Sequence, residues 1–273
     1  MRAMHWELKE PMNRYKKALR KKNAFIPFTV VGDPDLKTSE NMIRTMIDSG
    51  ADALELGVAF TDPIADGSTI QKADDRVLKK QTKLNDVFSV VKNIRKYNNT
   101  IPIGLLIYYN LIYQRGIEKF YREAAHVGVD GVLVADLPIE EADLVLTAAK
   151  KADIAPIFIV APTTTKERLH KILRHARGFV YVVSLLGVTG TRNHINPEVY
   201  KLLRLVRPKT KIPLCVGFGI SKPEHVKILL SSGADGVIVG SAIVKLIEKN
   251  LSNKKKMIIE ISSYVKKMKA ATQ

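Results

Sequence analysis

The sequence predicts an α/β fold, namely a single (β/α)8 TIM barrel with an extra N-terminal helix. Eight short apolar runs recur along the chain, and each is followed by a segment with helical periodicity. Most of the runs are continuously apolar, as expected for parallel strands that are buried on both faces. Eight such units without a break in composition favour a closed barrel over an open doubly wound sheet. No Gly-x-Gly-x-x-Gly follows the first run, which argues against a dinucleotide-binding fold.

The predicted strands are taken from these apolar runs. They span residues 25–30, 53–56, 103–107, 131–135, 156–159, 179–183, 213–216 and 236–239. The intervals between them have apolar residues on one helical face; Met42, Ile43 and Met46 form such a face in the first interval. After the second strand, a long loop leads to a helix that could start at Thr69.

Three of the predicted helices end in a similar phrase just before a strand. The phrases are Gly50-Ala-Asp52, Gly128-Val-Asp130 and Gly233-Ala-Asp235. Glycine directly after the last helical residue is the usual C-terminal stop, so the repetition is typical of a βα array. An extra helix over about residues 11–21 is expected to cover the lower end of the barrel, and one amphipathic helix with a lysine-rich face is expected after residue 249.

Composition indicates one large domain over residues 1–273, with residues 1–12 as a peripheral tail. The chain is 46% hydrophobic, and no apolar run reaches the ~18 residues of a membrane span. The basic start, interrupted by Pro11, has no signal-peptide core. Cys215 is the only cysteine, which fits a reducing compartment. We therefore expect a cytoplasmic protein.

The net charge of +17 raises the possibility of a nucleic-acid partner. The lysines and arginines are scattered along the sequence, and no finger, recognition helix or aromatic RNA platform accompanies them. We therefore expect neither a nucleic-acid nor a membrane partner, although a positive field favours a small anionic substrate. No two histidines have metal-ligand spacing, so no metal site is expected.

In a (β/α)8 barrel the active site lies where the strands end and the βα loops begin. Gly217-Phe218-Gly219 follows the seventh strand, and Gly240-Ser241 follows the eighth and opens a helix. Free backbone N–H groups at that helix start attract anions, and glycine lets the backbone approach them. A phosphate site is therefore favoured, although Ser241 could also serve only as a helix cap.

Glu55 and Asp66 are the candidate acid and base. Glu55 ends the second strand between two leucines, where lost hydration raises a carboxyl pKa. Asp66 is on the loop and is expected to be more solvated and anionic, so that the two carboxyls can divide acid and base roles. A structural ion pair of Glu55 is an equally good interpretation, and Asp62 and Asp66 could also be turn formers. For Tyr181, the pattern alone favours packing inside the barrel.

Taken together, these motifs resemble the tryptophan synthase alpha subunit family, in order, from about residue 25 to residue 249. The motifs are Phe25-Ile-Pro-Phe28, Gly32-Asp-Pro34, Leu54-Glu-Leu-Gly57, Phe60-Thr-Asp-Pro63, Ala65-Asp-Gly67, Thr69-Ile-Gln71, Pro102-Ile-Gly104, Tyr108-Tyr-Asn110, Ala135-Asp-Leu-Pro138, Ala161-Pro162, Gly187-Val-Thr-Gly190, Gly217-Phe-Gly219 and Gly240-Ser241-Ala242. The family cleaves indole-3-glycerol phosphate to indole and glyceraldehyde 3-phosphate. The resemblance therefore implies a carbon–carbon lyase of tryptophan biosynthesis.

The resemblance also implies roles for individual residues. Glu55 is implied as the general acid/base, Asp66 as the carboxylate that faces the indole nitrogen, and Tyr181 as an active-site residue. Phosphate-binding positions fall on Gly190, Gly219, Gly240 and Ser241. The indole pocket is implied at Phe28, Leu106, Leu133, Ile159, Thr189 and Phe218.

The family works as an α2β2 complex in which indole passes to a beta subunit that carries pyridoxal phosphate. No cofactor is expected in this chain itself, and the loop with Ala59, Asp62 and Pro63 is expected to touch the partner. Ala59 and Ser68 stand where the family usually has proline, which leaves loop closure and coupling to the partner open. Two alternatives remain: another phosphosugar barrel of the same superfold, and a weakly active barrel that mainly binds and activates the beta subunit.

Overall fold

The computed structural model describes residues 14–19, 23–183, 196–217 and 219–273. It contains a closed barrel in which each strand is parallel to its two neighbours and the last strand pairs with the first. The strands are β1 (Ala24–Val30), β2 (Leu54–Gly57), β3 (Ile103–Ile107), β4 (Gly131–Val134), β5 (Ala155–Val160), β6 (Val180–Val183), β7 (Leu214–Gly217) and β8 (Gly236–Val239). The predicted barrel is confirmed, and every predicted strand boundary lies within one residue of the observed one.

Helices surround this barrel. They are α1 (Arg14–Leu19), α2 (Leu36–Asp48), α3 (Ser68–Lys79), α4 (Leu84–Tyr97), α5 (Tyr109–Arg115), α6 (Ile117–Val127), α7 (Asp143–Ala152), α8 (Lys166–His175), α9 (Glu198–Val206), α10 (Pro223–Ser231), α11 (Ser241–Lys249) and α12 (Lys254–Ala270). The helix predicted to start at Thr69 begins one residue earlier. Within the described ranges, none of these helices has both the length and the apolar character that a membrane crossing requires.

The apolar side chains form two buried layers. One layer fills the space between the sheet and the surrounding helices. The other occupies the barrel interior and includes Ile26, Phe28, Leu133, Ile157 and Ile238. Two layers arise because alternate residues of each strand point inward and outward. Full burial of such a side chain contributes roughly 1.5–3 kcal/mol.

The lower end of the barrel is closed by α1, as predicted for the extra helix. Tyr15 is 1% exposed, and its ring lies edge-on to Phe179 with 5.5 Å between centroids. The ring occupies space that small residues leave free, since a Cβ on Gly104 would lie 2.5 Å from the Tyr15 hydroxyl oxygen. Tyr15 thus acts as a plug for the end of the barrel opposite the βα loops.

The repeated Gly-x-Asp phrase has a structural role at the start of the strands. Its glycines adopt positive φ angles between +96° and +102°, which L-amino acids with side chains rarely adopt. Its aspartates each accept a hydrogen bond from a backbone N–H at or beside the start of the preceding strand. The pairs are Asp52 with Phe25 at 2.7 Å, Asp130 with Ile103 at 2.8 Å and Asp235 with Leu214 at 2.8 Å.

Each of these aspartates also forms an ion pair that ties a helix to the barrel. Asp130 lies 2.7 Å from Arg14 of α1 and 2.8 Å from Arg95 of α4. Asp52 pairs with Lys269 of α12, and Asp235 pairs with Arg207. The phrase therefore anchors helices at the lower end of the barrel, away from the loops that follow the strands.

The Asp130 network gives a stability prediction. We expect Asp130→Asn to lower the free energy of unfolding by about 3–5 kcal/mol, because the largely buried Arg95 guanidinium loses its counter-charge while the side-chain shape is retained. Urea denaturation measures the change.

The matched control is Glu118→Gln, which removes a surface ion pair with Lys151 in which both side chains are about two-thirds exposed. Such a pair contributes little to stability, because solvent screens both charges. Equal losses in the two variants would contradict the stabilising role of the Asp130 network.

Candidate active site

A pocket opens at the carboxyl ends of the strands. Its volume is about 640 Å³, counting open space at the mouth. It is lined by Phe28, Glu55, Ala65, Asp66, Ile70, Leu106, Ala135, Ile159, Tyr181, Gly219, Ile220, Ile238, Gly240 and Ser241. The structure thus brings together nine predicted site residues that are far apart in the sequence. Five apolar lining residues were not predicted: Ala65, Ile70, Ala135, Ile220 and Ile238.

Glu55 points into this pocket from the barrel interior. Phe28 and Gly104 are its register partners on the neighbouring strands, and its side chain is almost fully buried. Burial raises the pKa of Glu55 to about 8, and the nearby negative charge of Asp66 contributes to the increase. At neutral pH this carboxyl is therefore mostly protonated, which suits a group that donates a proton.

Asp66 lies on the loop between β2 and α3, and it is only 7% exposed. Asp66 is more exposed than Glu55, as expected, but only slightly, because the loop folds back over the barrel. The Asp66 N–H donates to the Pro63 carbonyl at 2.9 Å, and the Gln71 side chain donates to the Asp66 carbonyl at 2.8 Å. Burial raises the pKa of the Asp66 carboxyl, whereas a hydrogen bond from Tyr108 lowers it.

Tyr108 is a residue of the site that sequence reasoning did not assign. Its hydroxyl donates to Asp66 Oδ2 at 2.7 Å and accepts from the Ala65 N–H at 3.1 Å. Its ring stacks on Phe60 with 5.0 Å between centroids. Tyr108 directly follows β3, so the rule that places active-site residues at strand ends could have identified it.

Tyr181 lies on β6 between Ile159 of β5 and Cys215 of β7, and it is buried. A Cβ on Gly217 would lie 2.1 Å from the Tyr181 hydroxyl oxygen, so the ring fits only because that position is glycine. Burial raises the Tyr181 pKa well above its usual value, and the charges of Glu55 and Asp66 add to the increase. Tyr181 is therefore both packed in the barrel and in the pocket as a neutral phenol.

The other end of the pocket is suited to an anion. Gly240 is the residue before α11, Ser241 is the first residue of that helix, and Gly219 has a positive φ of +75°. The positive end of the α11 dipole and its free N–H groups therefore face the pocket. None of the described lining residues is lysine or arginine, so backbone groups are the main source of positive potential there.

Four predicted site positions are not among the described lining residues. Leu133 is 1% exposed and packs in the barrel interior, and, contrary to the prediction, it is not among the lining residues, although its register partner Leu106 is. Thr189, Gly190 and Phe218 lie outside the described residues.

The predicted partner loop is at the rim of the pocket. Ala59 and Pro63 are partly buried, and Asp62 is exposed. Ile64, in the same loop, is 77% exposed. Two further exposed apolar residues follow the next strands, namely Tyr113 on α5 and Leu144 on α7, at 63% and 68% exposure. This end of the barrel therefore presents apolar side chains to its surroundings.

Comparison with known proteins gives consistent results. The family model described as tryptophan synthase alpha chain matches residues 15–273. The tryptophan synthase alpha chain of Methanoregula boonei is 53% identical over 256 residues, which cover 94% of this chain and 96% of the relative. That of Methanothermobacter thermautotrophicus is 50% identical over 248 residues, covering 91% and 92%.

Solved structures are similar as well. The tryptophan synthase alpha subunit of Legionella pneumophila has a TM-score of 0.88 at 35% identity, covering 96% of this chain and 99% of that one. A chain of the tryptophan synthase α2β2 complex of Pyrococcus furiosus has a TM-score of 0.84 at 42% identity, covering 90% and 98%. The resemblance seen in the sequence is thus confirmed. The chain belongs to the tryptophan synthase alpha chain family, whose members are lyases that cleave indole-3-glycerol phosphate in tryptophan biosynthesis.

Proposed function

We propose that the family reaction proceeds in this pocket with Glu55 as the general acid/base and Asp66 as the carboxylate that faces the indole N–H. One observation carries this assignment: two buried carboxyls share an apolar pocket, and among the described residues only Asp66 receives a side-chain hydrogen bond that stabilises its charge. Carboxyls in unlike environments divide acid and base roles. Glu55 is then the proton donor and Asp66 is the anion.

The proposed mechanism is a retro-aldol cleavage. Direct cleavage would expel a poor carbanion from the indole ring. Glu55 instead protonates ring carbon three while Asp66 stabilises the positive charge that develops at the N–H, which gives a protonated indolenine (indoleninium) cation. Glu55, now a carboxylate, removes the proton of the glyceryl hydroxyl next to the scissile bond. The bond electrons return to the ring, and indole and glyceraldehyde 3-phosphate leave.

The rest of the pocket positions the substrate. Phe28, Leu106 and Ile159 provide apolar contacts for the indole ring, and Tyr181 lies beside the two carboxyls. Gly219, Gly240 and Ser241, with Gly190, are proposed to hold the phosphate. Binding energy from this remote group fixes the reacting carbon near Glu55. The side chains of this chain suffice for each step, so the proposed mechanism includes no cofactor in the alpha subunit. The proposed location of the protein is the cytoplasm.

We propose a tryptophan synthase beta subunit as the partner, in an α2β2 complex. The similar Pyrococcus furiosus chain comes from such a complex. The exposed side chains of Ile64, Tyr113 and Leu144 follow β2, β3 and β4, so they lie on βα segments of neighbouring strands near the mouth of the pocket. Exposed apolar residues grouped in this way are typical of a protein interface. A partner that covers this rim would receive indole as it leaves the pocket.

The role of Glu55 is tested by Glu55→Gln. We expect indole release from indole-3-glycerol phosphate to fall at least 100-fold, because the amide cannot transfer the proton. The assay is run on the isolated chain and again with beta subunit. Glu118→Gln, at an exposed residue that does not line the pocket, is expected to retain full activity. Near-wild-type turnover of Glu55→Gln would remove Glu55 from its role, and no indole from the wild-type chain under either condition would refute the lyase function.

The burial of Glu55 also predicts the pH dependence. Since the pKa of Glu55 is raised to about 8, its acid form is present at neutral pH and is lost as the pH rises through that value. We therefore expect kcat/KM to decline above about pH 8, by tenfold per unit at high pH. A profile that stays flat to pH 10 would contradict Glu55 as the required acid.

The partner surface is tested by Leu144→Asp. We expect affinity for the beta subunit to fall at least tenfold, because a charge replaces an apolar contact in the interface, while indole release by the isolated chain is unchanged. The matched control is Ile259→Asp on α12, since Ile259 is equally exposed at 68%. Isothermal titration with beta subunit measures both variants. Similar affinities for the two would exclude the α7 end of the rim from the interface.

A further inference from the structure

The pocket and the helix behind it contain three buried carboxyls, and none of the described residues that line the pocket is a lysine or an arginine. Glu55 and Asp66 line the pocket, and Asp74 lies on the buried face of α3, one helical turn after the pocket residue Ile70. Asp74 is 4% exposed, and its Oδ2 has no hydrogen-bond partner among the described residues. Burial is the largest cause of the raised pKa of each group, and the Asp66 charge raises the pKa of both Glu55 and Asp74.

The three carboxyls differ in hydrogen bonding. Asp66 receives the Tyr108 hydroxyl hydrogen at 2.7 Å. Within the described part of the chain, neither Glu55 nor Asp74 receives a side-chain hydrogen bond. A hydrogen bond donated to a carboxylate favours the charged form. The Tyr108 hydroxyl is thus the feature that distinguishes Asp66 from its two neighbours.

We propose that Tyr108 is a positioning residue that keeps the negative charge of the site on Asp66 and so leaves Glu55 as the proton donor. This inference rests on the proposed roles of the two carboxyls. Tyr108 acts through Asp66 and has no assigned contact with the substrate.

Tyr108 is itself held firmly enough for this role. It is 1% exposed and precedes α5, whose first N–H, that of Tyr109, donates to Asp136 Oδ1 at 2.7 Å. Its hydroxyl orientation is set by the Ala65 N–H, which occupies the acceptor side and leaves the hydroxyl hydrogen for Asp66. The stack on Phe60 fixes the ring. Tyr108 therefore joins β3 to both ends of the loop that contains Asp66.

The groups around Asp66 define its titration. Glu55 faces it from β2, Asp74 from α3, Tyr181 from β6 and Tyr108 from the end of β3. On α3, Arg76 is bound in a two-point ion pair to Asp33, and Lys72 pairs with Glu248. Among the described residues, loss of the Tyr108 hydroxyl therefore removes the side-chain hydrogen bond that supports the Asp66 charge, and the pKa of Asp66 rises toward that of Glu55.

The test is Tyr108→Phe, which retains the ring and its stack on Phe60. Activity requires ionised Asp66 and protonated Glu55, so kcat/KM rises with pH through the pKa of Asp66 and falls through that of Glu55. We expect the rising, acid-side limb of the kcat/KM profile (the acid limb) to shift to higher pH by about one unit, which is the size of effect expected when a charged group loses a hydrogen bond. The loss of kcat is expected to be about tenfold on the acid side and smaller near pH 8, with KM nearly unchanged.

The matched control is Tyr121→Phe. Tyr121 is fully buried on α6, and its hydroxyl has no partner among the described residues, so the same chemical change there should leave the pH profile unaltered. Titration of the substrate phosphate is common to all variants and cancels in the comparison. A loss for Tyr108→Phe that is equal at every pH, or an unshifted acid limb, would overturn the proposal.

A second substitution covers the case in which Tyr108→Phe folds poorly. Incorporation of 3-fluorotyrosine at position 108 preserves the shape and strengthens the hydrogen-bond donor, so the acid limb is expected to move to lower pH; an unmoved or raised limb overturns the proposal. Failure of the proposed function is seen separately, because it appears as retained activity of Glu55→Gln whatever the result at Tyr108.

Discussion

The carboxyl of Glu55 is buried inside a closed sheet, and the site depends on the cost of charging it there. Ionising a carboxyl away from water is strongly unfavourable unless a partner compensates. Pairing of β2 with β1 and β3 holds Glu55 against Phe28 and Gly104, so it has little freedom to turn toward solvent. The geometry of the barrel thus converts an ordinary glutamate into a group that is protonated at neutral pH.

Because the barrel shields the pocket from water, every other charge in the pocket affects the ionisation of its neighbours. Asp66 lies in the loop that closes over the barrel, and its charge both opposes ionisation of Glu55 and needs support from Tyr108. At the end proposed for the phosphate, glycines and the first turn of α11 provide positive potential, with no charged side chain among the described residues there. Backbone groups there are fixed in place by the helix, so they need no reorganisation when an anion binds.

Stability and chemistry occupy opposite ends of the barrel. At the lower end, Tyr15 fills the interior and Asp52, Asp130 and Asp235 tie strand starts to helices by ion pairs. At the upper end, buried carboxyls in a pocket whose described lining has no lysine or arginine, and an exposed apolar rim, oppose stability. A (β/α)8 barrel tolerates this division because strand pairing and the layers of apolar side chains connect the two ends.

Much of the architecture follows from the sequence alone. Continuous apolar runs predicted the boundaries of all eight strands to within one residue of the observed ones, because a strand that is buried on both faces is apolar along its whole length. The glycine stops indicated the βα array, and the rule that sites lie at strand ends selected Glu55, Gly219, Gly240 and Ser241 as candidates. Those features depend on local pattern and on the order of elements, both of which the sequence contains.

The remaining features depend on which residues meet across the barrel, and only the tertiary structure decided them. Asp66 was expected to be clearly more solvated than Glu55, yet the loop buries it almost as deeply; Leu133 was expected at the pocket wall, yet it packs in the barrel interior. Tyr108 and Asp66 are 42 positions apart, and Asp130 is 116 from Arg14, so no periodicity could join either pair. Burial and hydrogen bonding set the charge of a carboxyl, and both arise from distant segments brought together when the barrel closes.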